Sequence, residues 1–197
     1  MNTDDAIEGT IPPERIWCER ILLQRWSPAD APRLQAALDA AWDDLQRWIP
    51  WVFPERQTIP ELEERLQGYQ EDFLEGRDAL YAILSPDEAQ VLGGAGLYRR
   101  VGPAALEIGY WVRSDRSGEG IATEAAAALT RAGLELPGID RLEIRCDPEH
   151  AASAAIPRKL GYCLREIIPA DHDPSGDRGG GTMVWEMEID ASSGMDS

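Results

Sequence analysis

A turn with two glycines offers the first recognisable chemistry in the sequence. The segment RSDRSGEGIATE follows a strand candidate ending in YWVR, and Gly118 and Gly120 stand just before a helix that starts at Ile121. Such a turn aims backbone N–H groups outward from a helix N-terminus, and glycine lets the backbone approach an anion closely. The pattern favours a phosphate or pyrophosphate site. An ordinary helix start capped by Ser117 or Thr123 is the open alternative.

Three further side chains could move protons. Glu107 lies in the strand candidate LEIGYW, where a period of two puts it on one face with Gly109 and Trp111. The segment PEHAAS supplies the hydroxyl of Ser153 and the imidazole of His150, whose ordinary pKa of about 6.5 suits acid or base work. Alternatively, Glu107 is a solvated carboxylate, Ser153 is a helix cap and His150 only forms a hydrogen bond.

The composition argues against several classes of protein. The chain has 197 residues and a net charge of −17 at pH 7, a field that repels nucleic-acid phosphates and favours cationic partners. Cys18, Cys146 and Cys163 are far apart and include no C-x-x-C pair, so neither a disulfide framework nor a metal site is predicted. No apolar run approaches the roughly 18 residues of a membrane span. We expect a cytoplasmic protein without nucleic acid, membrane or metal.

The elements that position these groups predict one α/β domain. Segment 17–26 predicts a strand, and segments 28–48 and 59–76 predict amphipathic helices. Three strand candidates joined by short turns follow and imply an antiparallel meander. The helix after the glycine turn leads to a strand candidate at 139–146, so one crossover unit interrupts an otherwise antiparallel sheet. A short helix around SAAIPRKLG and the strand candidates YCLREIIP and TMVWEMEID complete the domain.

Two segments, LEIGYWVRSDRSGEGIATEA and RLEIRCDPEHAASAAIPRKLGY, resemble the GCN5-related N-acetyltransferases (GNAT), and within them the RimJ/RimL-type amine acetyltransferases. The resemblance covers nearly the whole chain. It implies a single mixed, mostly antiparallel twisted sheet of about seven strands, flanked by about four helices. A V-shaped splay is expected between the strands at 104–113 and 139–146. The domain would span 16–190, between a flexible lead at 1–15 and a disordered tail at 191–197.

The resemblance also implies that acetyl-CoA is the cosubstrate. In this family the turn binds the CoA pyrophosphate, and the pantetheine arm lies along the end of the preceding strand. Ser117 replaces the usual Arg or Gln, which we expect to affect mainly affinity. Arg113, Arg116, Arg158 and Lys159 would attract the 3′-phosphate, or are ordinary surface cations. The residues expected to bind CoA are Tyr110, Trp111, Val112, Arg113, Ser117, Gly118, Glu119, Gly120, Ile121, Ala122, Thr123, His150, Ser153, Arg158 and Lys159.

For the transfer, the resemblance implies direct attack of an amine on the thioester through a tetrahedral intermediate. The attacking amine must be neutral, and Glu107 occupies the acidic position that serves as base in many relatives. Pro157 occupies the position where many relatives carry a tyrosine that protonates the thiolate. Ser153 instead matches the serine of the RimJ/RimL N-x-x-S segment and is the predicted proton donor, with helix capping as the alternative. His150 replaces the asparagine and is expected to hydrogen-bond pantetheine.

The acceptor cleft is predicted from the segment WDDLQRWIPWV. Trp42 falls on the apolar stripe of the first helix and is expected in the core, whereas Trp48 and Trp51 are expected to line the cleft with Glu107. Aromatic walls ringed by carboxylates suit a cationic amine. The acceptor could be a protein N-terminus, a polyamine or an aminated antibiotic. The chain is expected to be a monomer or a homodimer. Transfer of a longer acyl group, or acyl-CoA sensing without turnover, are the competing interpretations.

Overall fold

The computed structural model describes residues 11–170 and 181–188, whose eight strands form a single mixed sheet. The strands are β1 (Arg15–Trp17), β2 (Leu22–Arg25), β3 (Ala79–Leu84), β4 (Val91–Tyr98), β5 (Ala105–Val112), β6 (Arg141–Cys146), β7 (Cys163–Ile168) and β8 (Thr182–Glu188). Their order is β1-β2-β3-β4-β5-β6-β8-β7. Only β5 and β6 pair in parallel within this sheet, as expected for strands joined by a crossover helix. The predicted fold class is confirmed.

Four α-helices in the described residues cover the sheet: α1 (Ala31–Trp48), α2 (Ile59–Leu74), α3 (Ile121–Leu134) and α4 (Ala151–Leu160). Capping boxes encoded in the sequence start the first two. Ser27 and Asp30 bond reciprocally in the 3-10 turn that leads into α1, and Thr58 and Glu61 do so at the start of α2. All four helices lie where the sequence predicted them.

The prediction of one strand over 17–26 holds for β2 but misses β1, which ends at Trp17 and forms a hairpin with β2 over 15–25. β1 and β2 are antiparallel, and the Cys18 N–H donates to the Ile21 carbonyl at 3.0 Å in the turn between them. The turn contains no Gly, Pro, Asn or Asp, so no turn signal marks it in the sequence. This extra strand accounts for eight strands in place of about seven.

The sheet separates two apolar clusters. One lies on the side of α3 and α4 and includes Ile108, Leu129 and Ile144. The other lies on the side of α1 and includes Leu34 and Leu62. Full burial of a leucine or isoleucine side chain contributes roughly 1.5–3 kcal/mol, so the apolar helix faces fix the layers. Trp42 is partly buried against the second cluster, as predicted.

β5 and β6 pair over only part of their length. The register runs from Ala105 opposite Arg141 to Ile108 opposite Ile144, whereas β5 continues to Val112. The two strands therefore part after Ile108. This opening is the V-shaped splay that the sequence predicted.

The described residues include only part of the segments predicted to flank the domain. The predicted tail at 191–197 and residues 1–10 of the predicted lead lie outside them. The end of that lead belongs to the fold, since the Tyr81 hydroxyl donates to the Pro13 carbonyl at 2.9 Å and Arg15 begins β1. Over the described ranges, no helix is both long and apolar enough to cross a membrane.

Candidate active site

Residues on both sides of the opening between β5 and β6 line a cavity of about 1090 Å³. The walls come from the centre of the sheet, the turn before α3, the start of α4, the end of α1 and one face of α2. The cavity thereby gathers most of the predicted site. The predicted residues that line it are Trp48, Trp51, Glu107, Tyr110, Trp111, Val112, Ser117, Gly118, Gly120, Ile121, Ala122, Thr123, His150, Ser153 and Lys159.

The turn before α3 presents backbone N–H groups without a side-chain cap. Gly118 and Gly120 both have φ of 81°, in the left-handed region that favours glycine. Helical bonding begins with the Glu124 N–H donating to the Gly120 carbonyl, and no side chain caps the helix. The alternative in which Ser117 or Thr123 caps α3 is therefore wrong. The first amides of α3 are free of capping bonds and suit an anion.

Arg20, in the turn between β1 and β2, ties that turn to the glycine turn. Its Nη1 donates to the Glu119 carbonyl at 2.6 Å, and its Nε donates to Glu124 Oε2 at 3.0 Å. The Arg20 backbone N–H also donates to Glu124 Oε1 at 2.8 Å. Arg20 is a positioning residue that the sequence analysis missed, because its partners lie about a hundred positions away along the chain.

Three residues predicted to contact CoA lie outside the lining of the cavity. Arg113 is held by the aspartate two positions later, at 2.9 and 2.7 Å. The Arg158 guanidinium lies over the Trp185 ring, 5.5 Å from its centroid. The Glu119 carboxylate binds Arg116 at 2.8 Å, and it is Arg116 that reaches the cavity. The resemblance placed these residues beside CoA, but their side chains contact these partners and do not line the cavity.

Pro157 helps to place a tyrosine hydroxyl beside Ser153. Proline has no N–H, so the Ser153 carbonyl four residues earlier lacks its usual helical donor. The Tyr110 hydroxyl donates to this carbonyl at 3.3 Å and lies 3.4 Å from Ser153 Oγ. Burial raises the pKa of Tyr110, so the hydroxyl stays protonated at neutral pH. Ser153 is the third residue of α4 and not its cap, so the capping alternative is wrong.

His150 caps α4 and closes one side of the cavity. Its Nδ1 accepts from the Ser153 N–H at 3.4 Å. The imidazole stacks on Trp48 with ring centroids 4.1 Å apart, which joins the end of α1 to the start of α4. Burial lowers the pKa of His150, so the ring is neutral at pH 7. With Nδ1 as acceptor, the proton resides on Nε2, which is then a hydrogen-bond donor.

Glu107 is 4% exposed and is held by a guanidinium that the sequence analysis did not foresee. Arg100 donates to both carboxylate oxygens, from Nε at 2.9 Å and from Nη2 at 2.7 Å. Arg145 approaches within 4.0 Å. The two-bond fork fixes the orientation of the carboxylate, and each oxygen retains a lone pair for a further partner. Glu107 can therefore accept a proton directly or through a water.

Glycines in β4 and β5 let aromatic rings lie against the sheet. A Cβ on Gly94 would stand 2.6 Å from the Trp111 indole nitrogen, and one on Gly109 would stand 2.9 Å from the Tyr98 ring. The Trp111 ring in turn meets Phe53 edge-on at 6.3 Å. The GGAG segment of β4 was the available signal, since glycines inside a strand mark close approach.

The charged lining of the cavity is mixed. The carboxylates expected around the aromatic walls are present, and arginines stand among them. In the described part of the chain, no group of three or more His, Cys, Asp or Glu side chains could hold a metal ion. The charged residues of the lining are Asp44, Asp72, Asp78, Glu107 and Asp147, with Arg65, Arg100, Arg116, Arg145 and Lys159.

Comparison with known proteins places this arrangement in a family. Residues 20–162 match the family model described as the acetyltransferase (GNAT) domain. YdaF of Bacillus subtilis (strain 168), named provisionally as a ribosomal N-acetyltransferase, is 26% identical over 151 residues, which are 73% of this chain and 78% of YdaF.

Solved structures share the fold at low sequence identity. The Salmonella typhimurium acetyltransferase that modifies the N-terminal serine of ribosomal protein L7/L12 has a TM-score of 0.73 and 21% identity, covering 92% of this chain and 100% of its own. The microcin C7 self-immunity acetyltransferase MccE, solved with acetyl-CoA and AMP, has a TM-score of 0.78 and 17% identity, covering 91% of this chain and 98% of its own. At these identities the similarity concerns the fold.

Proposed function

The chain belongs to the GNAT family of acetyltransferases, and we propose that it transfers the acetyl group of acetyl-CoA to a primary amine. The observation that carries this proposal is the parting of β5 from β6 beside the uncapped start of α3. Backbone donors at a helix N-terminus suit a pyrophosphate, and a gap between two strands suits an extended arm. Glu107 and Ser153 line the same cavity.

The residues of the cavity offer a continuous binding surface for CoA. The amides of Ile121, Ala122 and Thr123 would receive the pyrophosphate. Beyond Ile108, the β5 backbone no longer pairs with β6, so its polar groups on that side need another partner. The amide groups of pantetheine would satisfy them, with the Nε2–H of His150 as a further donor.

The proton transfers would divide between the two sides of β5. Glu107 would accept the proton of the attacking amine as the N–C bond forms. When the C–S bond breaks, Ser153 Oγ would donate its proton to the thiolate. The Tyr110 hydroxyl, 3.4 Å from Ser153 Oγ, would relay a replacement proton from solvent and end the cycle protonated. A β5 backbone N–H near Val112 would stabilise the oxyanion between these steps.

The acceptor we propose is the α-amine of a protein N-terminus. The names of YdaF and of the Salmonella typhimurium enzyme both concern ribosomal proteins, which supports this choice. An α-amine, with a pKa of roughly 8, also needs less help from a base than a lysine amine at roughly 10.4. Trp48 and Trp51 would form the aromatic wall of the acceptor cleft.

Calorimetry with acetyl-CoA, followed by thiol release with peptides that begin with serine, tests the proposal. Gly120→Asp should weaken acetyl-CoA binding by roughly 100-fold or more, since a carboxylate would face the pyrophosphate at close range. Gly161→Asp is the matched control, because Gly161 also has positive φ, 86°, and a Cβ there meets nothing within 4 Å.

Unchanged acetyl-CoA affinity in Gly120→Asp would remove the basis for the cofactor assignment. Binding without thiol release, across peptides and small amines, would favour an acyl-CoA sensor. Faster thiol release from a longer acyl-CoA than from acetyl-CoA would favour transfer of the longer acyl group.

A further inference from the structure

Arg65 enters the cavity from α2 with part of its guanidinium unpartnered. The guanidinium lies over the Phe53 ring, 4.8 Å from its centroid, and Nη1 donates to the Tyr69 hydroxyl at 3.1 Å. Its Nε is buried without a hydrogen-bond partner. A buried donor left unsatisfied costs roughly 1–3 kcal/mol, so the protein's own contacts do not fully satisfy the Arg65 guanidinium.

The charge of Arg65 is also uncompensated. Among the described residues, the other three arginines of the lining each have a carboxylate partner, whereas Arg65 forms no ion pair. The partner that helical spacing would supply is Glu61, four positions earlier. Glu61 Oε2 instead accepts from the backbone and side chain of Thr58, both at 2.7 Å, in the capping box of α2. The start of α2 thus engages the carboxylate that helical spacing would pair with Arg65.

The position of Arg65 assigns it to the acceptor rather than to CoA. Phe53 links Arg65 to Trp111, which lies on the same face of β5 as Glu107. Tyr110 packs on the opposite side of the sheet, against the cluster under α3. An anion at Arg65 would therefore lie on the side of β5 that carries the proposed base.

We propose that Arg65, with the Tyr69 hydroxyl, forms a subsite for an oxyanion of the acceptor, so that preferred acceptors carry a carboxylate or phosphate beside the amine that is acetylated. The subsite rests on the proposed function, since it selects among amine acceptors. It modifies the expectation of a purely cationic acceptor: the ammonium group faces Glu107 and the oxyanion faces Arg65.

Three amidated peptides of equal length test this subsite: Ser-Asn-Ala-Ala, Ser-Asp-Ala-Ala and Ser-phosphoserine-Ala-Ala. The wild type should favour one or both anionic peptides by roughly tenfold or more in kcat/KM, the size of a charge-assisted hydrogen bond. The Asp and phosphoserine peptides distinguish a carboxylate from a phosphate as the preferred group. In Arg65→Gln the ratio of anionic to neutral peptide should fall to about one.

Arg56→Gln is the matched control. The Arg56 guanidinium also lies over an aromatic ring, that of Trp42 at 4.5 Å, but its ion pair is with Asp39 and it does not line the cavity. The preference for anionic peptides should survive in this variant. Arg65→Lys keeps the charge and loses the planar fork, so it should retain part of the preference. This intermediate result would show that the loss in Arg65→Gln does not come from a folding defect.

A binding measurement covers acceptors that are not peptides. Protein saturated with CoA, so that the turn before α3 is occupied, is titrated with inorganic phosphate and with acetate. Binding that Arg65→Gln abolishes and Arg56→Gln retains supports the subsite even if none of the peptides is acetylated. Equal peptide preference and equal anion affinity in wild type and Arg65→Gln would overturn it. Failure of CoA to bind would count against the proposed function itself.

Discussion

The sharpest prediction about the chemistry concerns Glu107→Gln, which keeps the shape of the side chain and removes the base. If Glu107 accepts the proton of the amine, kcat should fall by roughly the 10²–10⁴-fold typical of general base catalysis. This loss corresponds to about 2.7–5.4 kcal/mol in the activation barrier. Acetyl-CoA affinity should be unaffected, because Glu107 lies on the face of β5 that carries Trp111, where we propose that the acceptor binds.

The contacts of Glu107 add a structural cost that must be separated from the catalytic one. Arg100 donates to both carboxylate oxygens at 2.9 and 2.7 Å, and an amide would retain only one acceptor for this fork. A hydrogen bond to a charged group contributes roughly 1.5–3 kcal/mol, and the half-exposed Arg100 puts the expected cost near the lower end. Arg100→Gln breaks the same fork but leaves the carboxylate, so it is the matched control. It should also lower stability, but its kcat should fall much less than that of Glu107→Gln, because the carboxylate is kept although the fork no longer fixes its orientation.

The assay is a pH series of kcat and KM for an α-amine peptide on the wild type and both variants. The deficit of Glu107→Gln should shrink as pH approaches the pKa of the amine, roughly 8, because the acceptor is then increasingly neutral without help. A kcat ratio near unity at every pH would refute the base assignment. A raised KM with unchanged kcat would show instead that Glu107 binds the acceptor uniformly in the ground and transition states.

Three further predictions concern the rest of the cavity. Gly118→Ala should lower the free energy of unfolding by about 1–2 kcal/mol, because its backbone is left-handed. Gly120→Ala should lower it more, since its Cβ would lie 3.0 Å from Arg20 Nη2 while that of Gly118 meets nothing within 4 Å. Urea unfolding measures both, and equal costs would contradict the contact. Ser153→Ala should lower kcat more than it weakens acetyl-CoA binding, and Tyr110→Phe should lower it less; full activity in Ser153→Ala would exclude Ser153 as proton donor. Because the folded-state pKa of His150 is lowered, the unfolded chain binds a proton first as pH falls through about 6.5, and the fold then loses stability. The stability difference between wild type and His150→Gln should therefore shift against the wild type from pH 7.5 to pH 5.5, and a pH-independent difference would contradict this.

The elements of the fold were predictable because their signals are local. The apolar faces of α1 and α2 follow from three- and four-residue spacing, and the glycine turn follows from Gly118 and Gly120. The splay of β5 from β6 was different, since no local pattern encodes where two strands part. It followed only from resemblance to a family. The hairpin turn at Cys18 to Ile21 escaped because it uses residues without turn preference.

The side chains of the site were harder to predict, because their direction depends on partners that are distant in sequence. Arg20 reaches Glu124 across 104 positions. Arg100 is only seven positions from Glu107, but it lies in the connection between β4 and β5, whose path the sequence pattern does not define. Arg113 and Glu119 show the reverse case, in which a near neighbour diverts the side chain from the site. Chain position alone cannot rank these competing partners.

Arg65 illustrates how two local rules can conflict. In the segment TIPELEERLQGY, helical spacing pairs Glu61 with Arg65, and the capping-box rule pairs Glu61 with Thr58. The capping box satisfies a backbone N–H at the helix start and so prevails, since an exposed ion pair at this spacing contributes only about 0.3–0.5 kcal/mol. Over the described ranges, the Arg65 guanidinium therefore forms no ion pair with a carboxylate, and Arg65 lines the cavity. A segment with the charge pattern of a solvated helix surface thus leaves the Arg65 guanidinium available for the proposed acceptor oxyanion, in a chain whose net charge of −17 would otherwise disfavour anions.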